Sequence, residues 1–237
     1  GPQLVGQGAL VFNGGAGTPG NYLQTNRIVG ELWVGFDQVN AGAMVLTNSS
    51  LGIGAWLAID RGNGTVGSSS RVTLYDSVLT AGNFSMGYAN NIAGNSSFPV
   101  LALLGNSSFT VNARTFIGEN GGADAPIIIG GTSRYTQSSE WFALGNSGKG
   151  TLVLSNTARA NFPGDCNLGD VAGGDGTLNI YDNATNLALT LYVGKGNDSG
   201  PATGVVNQHG GYVGKSATGG GDWRIGGNSS TATAGSV

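Results

Sequence analysis

Apolar and polar positions alternate along this chain in short bursts. Eight times an apolar residue, a variable residue and a second apolar residue follow one another, usually closed by glycine. The copies are Leu32-Trp33-Val34-Gly35, Leu57-Ala58-Ile59-Asp60, Phe84-Ser85-Met86-Gly87, Thr115-Phe116-Ile117-Gly118, Phe142-Ala143-Leu144-Gly145, Cys166-Asn167-Leu168-Gly169, Leu191-Tyr192-Val193-Gly194 and Trp223-Arg224-Ile225-Gly226. Their third residues are spaced by 25, 27, 31, 27, 24, 25 and 32 residues. Leu10-Val11-Phe12-Asn13 reads as a weaker, earlier copy. A second apolar stretch follows after a loop in each repeat: Ala43 to Leu46, Val72 to Tyr75, Val100 to Leu104, Ile127 to Ile129, Thr151 to Leu154, Thr177 to Tyr181 and Gly204 to Val206.

Period-two alternation and β-branched content make both elements strands, and nowhere do apolar residues recur at helical spacing over a helical length. Clusters such as Gly94-Asn95-Ser96-Ser97, Gly105-Asn106-Ser107-Ser108 and Gly227-Asn228-Ser229-Ser230 supply corners. There glycine and asparagine tolerate positive φ, and serine bonds to nearby backbone. The fold expected is all-β: a parallel β-helix, or β-solenoid, of about eight to nine coils of roughly 27 residues, with residues 1–237 forming a single repeat domain. Stacked at about 4.8 Å per coil, it would be a rod about 40 Å long. A propeller blade needs more residues, and a sandwich gives no reason for the recurrence.

Alternation also assigns sides. The first and third residues of each element face inward, giving the columns Leu32, Leu57, Phe84, Thr115, Phe142, Cys166, Leu191, Trp223 and Val34, Ile59, Met86, Ile117, Leu144, Leu168, Val193, Ile225. A one-residue slip would instead bury Ser85, Asn167 and Arg224. Cys166 thereby reads as a small core hydrophobe between Phe142 and Leu191 rather than a nucleophile. On the outer side Trp33, Phe116 and Tyr192 share one column, and Trp56 and Trp141 lie one outward step earlier. Aromatic faces among few charges and many hydroxyl and amide groups suit sugar rings, whose C–H faces stack on aromatics. A corner loop folded over the same face would bury these rings as a satellite cluster instead.

Composition narrows the functional classes. Of 237 residues 45 are glycine and 10 % are charged, with a formal charge of −3, so the chain is unlike an ordinary enzyme of this length. Hydrophobic content of 39 % suffices for a core, and the glycines have no collagen period. No apolar run reaches membrane-spanning length. Ten basic residues, scattered singly, form no nucleic-acid patch. One cysteine and one histidine exclude a disulfide framework and a Cys/His zinc cluster. Coil lengths that vary, with no repeated Thr-x-Thr, argue against ice binding.

Candidate chemistry is sparse. Asp165, Asp170, Asp175 and Asp182 lie within about one coil and could serve acid/base work on a glycan, but turn chemistry accounts for them as well. No Lys or Arg lies between residues 160 and 194 to complete a uronate site. Gly173-Gly174-Asp175-Gly176 is a weak match to glycine-aspartate calcium loops, without their nonapeptide repeat. His209, beside Gly210-Gly211, reads as an exposed corner residue rather than a general base.

Leu191-Tyr192-Val193-Gly194, the run Gly204-Val205-Val206-Asn207-Gln208-His209-Gly210-Gly211-Tyr212-Val213 and Asp222-Trp223-Arg224-Ile225-Gly226-Gly227 carry a resemblance. They resemble the autotransporter-associated β-strand repeats, and the related PEP-CTERM-type glycine-rich repeats, of large bacterial surface proteins. In those repeats a strand ending in Ile-Gly or Val-Gly precedes a Gly-Thr-Val strand and a Gln-Ser-Gly-Gly-Thr corner; here His209 and Tyr212 replace the serine and threonine. The pattern covers residues 140–237 well and 30–139 loosely. The resemblance implies a β-solenoid at a bacterial cell surface or secreted, often a stalk or passenger beside a carbohydrate-active domain. Gly1-Pro2 reads as the remnant of a removed tag, and the chain as a segment of a longer protein.

Three functions are expected from this reading: a non-enzymatic adhesive or structural surface segment; a polysaccharide-binding solenoid using Trp33, Trp56, Phe116, Trp141 and Tyr192; or a β-helix polysaccharide lyase or hydrolase. Exposed end coils further predict head-to-tail self-association.

Overall fold

In the computed structural model, which describes residues 3–4, 8–13, 24–35, 41–62, 69–89, 97–216 and 220–226, the chain is a β-solenoid built from parallel strands, with no helix among the described residues. Each strand pairs with its counterpart about 27 residues on, so the period in the sequence is one turn of the solenoid. Among the described residues one sheet stacks eight strands, from Gly8–Asn13 to Thr203–Gln208. We call it face 1. The other sheet is longer along the chain in each rung and divides at a seam. There the register shifts between Ile53 and Trp56 and between Phe162 and Asp165, and other rungs break into two strands. Its two halves are faces 2 and 3.

Face 3 is the first of the two elements read from the sequence. Register places Leu32 against Leu57, Leu57 against Phe84, Phe84 against Thr115, Thr115 against Phe142, Phe142 against Cys166, Cys166 against Leu191 and Leu191 against Trp223. The inner columns are those that alternation assigned. In both columns every residue before the last rung is buried, whereas Trp223 and Ile225 on the last rung are 41 % and 59 % exposed. Face 1 is the second element. Leu10-Val11-Phe12-Asn13, expected as an early copy of the first, belongs to face 1 instead, pairing with Met44 to Thr47.

Two strands per coil were expected and three are present. Face 2, with strands such as Ser108–Val111 and Arg134–Gln137 and the first halves of Ser49–Gly62 and Val78–Ala89, fills stretches read as corner and loop. It closes the core. Phe84 on face 3 meets Phe109 on face 2 edge to face at 5.1 Å between centroids, Phe109 meets Tyr135 at 5.5 Å, and Tyr135 meets Phe142 at 5.5 Å. A single apolar cluster thus runs along the rod from Leu32 to Val206.

Two kinds of corner turn the chain. Face 3 strands end on residues with positive φ: Gly35, Gly87, Gly118, Gly145, Gly169, Gly194 and Gly226, with Asp60 in the second position of the column. Between faces 1 and 2 a buried serine column links rungs. Ser49 N donates to Ser77 Oγ at 3.1 Å, Ser77 N to Ser107 Oγ at 3.2 Å and Ser107 N to Ser133 Oγ at 3.1 Å. Each serine thus satisfies a backbone donor of the preceding rung in a dry corner, where an unmade bond would be costly. The clusters at residues 94–96 and 227–230 lie outside the described residues.

Candidate functional site

The outer side of face 3 gathers the candidate aromatic residues. Register puts Trp33, Ala58, Ser85, Phe116, Ala143, Asn167 and Tyr192 in one outward column. The neighbouring column holds Trp56, Asn83, Trp141 and Asp165. Large rings therefore alternate with small residues, and the rings lean into the gaps. Trp56 and Phe116, two rungs apart, stack at 6.3 Å with planes 14° apart, and Phe116 meets Trp141 edge to face at 6.3 Å. Trp33, Trp56, Phe116, Trp141 and Tyr192 are all half-buried.

Arginines sit among these rings. The Arg61 guanidinium carbon lies 5.8 Å from the centroid of Trp33, 5.5 Å from Trp56 and 5.4 Å from Tyr88, and that of Arg114 lies 4.6 Å over Trp141. Such contacts hold a cation on the negative ring face. Arg114 also pairs with Glu140. Farther along the rod Tyr192 is approached by Lys195 at 5.9 Å and Arg224 at 5.7 Å, and these cations pair with Asp170 and Asp222.

Two outward positions are buried although strand parity turns them away from the core. Ser85 is covered by the side chain of Glu119, to which it donates a hydrogen bond, and Asn167 Nδ2 donates to Asp170 Oδ1 at 2.8 Å. In both cases a carboxylate from the corner after face 3 reaches back over a small strand residue. Burial pushes the Glu119 carboxyl above its ordinary pKa, against the opposing pull of the Ser85 hydrogen bond and the Arg61 charge. Glu119, Arg61 and Tyr88 escape a reading based on three-residue strand copies, because they lie beyond the closing corner position.

The four candidate aspartates occupy four different parts of the coil. Asp165 is exposed on face 3 beside Trp141 in register. Asp170 is buried in the following corner, where Lys195 Nζ lies 2.6 Å from its Oδ1. Asp175 stands on face 1 in register with Lys149. Asp182 is in the corner between faces 1 and 2, with φ of 55° and an Oδ2 accepting Asn156 N at 2.8 Å. The calcium-loop match, Gly173-Gly174-Asp175-Gly176, runs from the corner after face 3 into the face 1 strand. The described residues contain no group of three or more His, Cys, Asp or Glu placed to hold a metal ion. His209 is exposed at the same kind of corner as Asp182 and stacks on Tyr181 at 4.8 Å with planes 5° apart. Burial raises the Cys166 thiol pKa, keeping it neutral.

No helix among the described residues is long and apolar enough to cross a membrane. Comparison with family models, curated proteins and solved structures finds no match.

Proposed function

We propose that this solenoid is a non-enzymatic, extracellular adhesive segment that holds polysaccharide against face 3. The observation that carries the reading is the contiguous, half-buried ring surface of Trp56, Phe116 and Trp141 across four rungs, flanked by Arg61 and Arg114. Rings offer stacking area to the C–H faces of sugars, and guanidinium groups supply hydrogen bonds to hydroxyls at the rim. The parallel rungs fix the spacing of these groups, so little conformational freedom is lost when a stiff polymer lies along them. A cell-surface or secreted location accords with this role and with the resemblance to glycine-rich surface repeats. The scattered aspartates, two of them engaged in corners, support binding better than acid/base catalysis.

The test is retention on neutral polysaccharides, soluble ones in affinity gels and insoluble ones in pull-downs, with assay for released reducing or unsaturated ends. Retention without products, lost in Trp56→Ala and Trp141→Ala, is the expected result. Failure to bind any neutral glycan, or equal retention of both variants, would sink the reading.

A further inference from the structure

Face 2 carries a different chemistry. Its outward strand positions are Arg27, Ser50, Gly52, Val78, Thr80, Ser108, Thr110, Arg134, Thr136, Arg159, Asn161, Thr185, Leu187 and Tyr212. None is acidic, in a chain whose 13 carboxylate residues outnumber its 10 basic ones. Three of the seven arginines stand here, all exposed, and none forms an ion pair with a described residue. Acidic groups at the two edges of this face are engaged. At the face 1 corner Asp76 accepts Asn106 N and Asp182 accepts Asn156 N, and at the seam Glu140 holds Arg114.

Two features make this face more than a solvated surface. Arg134 and Arg159 are register partners on adjacent rungs, so two like charges stand side by side at one strand spacing. That arrangement is unfavourable without a counter-charge. Toward the first rungs, Gly52 and Gly54 leave a gap in the outward side chains, forming a hollow of about 370 Å³ lined also by Asn26, Arg27, Ser50, Thr80 and Asn112. The outward polar side chains there, Arg27, Ser50 and Thr80, are hydrogen-bond donors or can act as such.

We infer that face 2 binds a linear polyanionic glycan, with carboxylate or sulfate groups of the chain seated at the Arg27 hollow and between Arg134 and Arg159. Guanidinium groups bind such oxyanions through paired N–H donors, and an anion between two stacked arginines removes their mutual repulsion. Arg134 and Arg159 lie four and five rungs beyond Arg27, about 19 and 24 Å along the rod. Thr80, Thr110 and Thr136 form a register-paired hydroxyl row between them. The widely spaced cations fit a polymer of modest charge density that follows the rod axis. This site is independent of the ring surface on face 3.

The experiment compares retention of the whole chain by dextran sulfate against dextran, and by polygalacturonate against its methyl ester. Stronger retention by the anionic member of each pair is expected. In the Arg27→Gln, Arg134→Gln, Arg159→Gln triple variant it should weaken by about tenfold or more and lose much of its salt dependence. Trp56→Ala should leave it unchanged, which separates this site from the face 3 reading. Lys149→Gln, on face 1, should have little effect. Equal retention by charged and uncharged members, an equal loss in the lysine variant, or tighter binding of duplex DNA than of either glycan would overturn the inference. Matching thermal melts of the variants show that binding, not folding, is being read.

Discussion

Ser70 Oγ donates to Asp60 Oδ1 at 2.5 Å, anchoring an aspartate in a corner column that otherwise carries glycine. Asp60 has φ of 56°, a left-handed conformation that costs a side-chain-bearing residue energy. Its carboxylate is buried and also accepts Ser97 Oγ at 3.0 Å, while Ser70 Oγ accepts Gly42 N at 3.0 Å. One side chain thus ties three successive rungs together. Asp60→Ala keeps the strained backbone and strips two serines of their acceptor, so it should destabilise by about 2–4 kcal/mol. Asp60→Gly relieves the strain and should cost about half as much. Thermal melts of the two variants check the order; equal losses would mean that backbone conformation plays no part.

Glycine at these corners is needed for space as well as for φ. A Cβ on Gly145 (φ 70°) would lie 2.2 Å from the Asp175 carbonyl oxygen on the next rung, whereas one on Gly30 would meet nothing within 4 Å. Gly145→Ala should therefore destabilise by about 3 kcal/mol or more, with Gly30→Ala within about 0.5 kcal/mol of the parent. Urea titration measures both, and a mild effect at Gly145 would show that adjacent rungs can slide apart.

The core of faces 1 and 3 was legible because their inner residues are apolar and their outer ones mostly are not. Face 2 defeats that reading. Its inner positions include Asn186, Gln137, Ala160 and Ala188, while Leu187 points outward, so the alternation is blurred or inverted. Bulky Phe109 and Tyr135 and small Ala160 share the work of filling the interior, which residue volume decides rather than polarity. The ring surface was legible from strand parity. Glu119 and Arg61 were not, because chain path beyond the corner, rather than period, brings them to it.

Asn186 is the clearest conflict between side chain and surroundings. It is fully buried in a column between Ala160 and Val213, and neither its amide oxygen nor its nitrogen has a hydrogen-bond partner. Burying an amide unpaired costs about 1–3 kcal/mol on mutational scales. Asn186→Leu, with the same branching and no polar atoms, should therefore raise the midpoint of thermal unfolding. A fall of several degrees would show that the amide is engaged within the folded protein.

Glu119 gives the rod a pH dependence with a definite sign. Because burial raises its folded-state pKa above the unfolded value, the folded protein binds the proton more tightly. The stability contributed by the protonated form is fully present below the unfolded glutamate pKa and is lost as pH rises through the folded one. Above that range a carboxylate must be held over Ser85 on face 3 at a desolvation cost. Glu119→Gln keeps the shape and removes the charge, so the variant should gain in melting temperature over the parent at pH 7 and lose that advantage as pH falls toward 4. The Arg61 charge opposes this trend, so Arg61→Gln should enlarge the difference at pH 7. Melts of the parent and both variants across that range, at constant ionic strength, decide it. A Glu119→Gln advantage that stays constant with pH would mean that the carboxyl titrates alike in the folded and unfolded protein, and that the variant acts through packing alone.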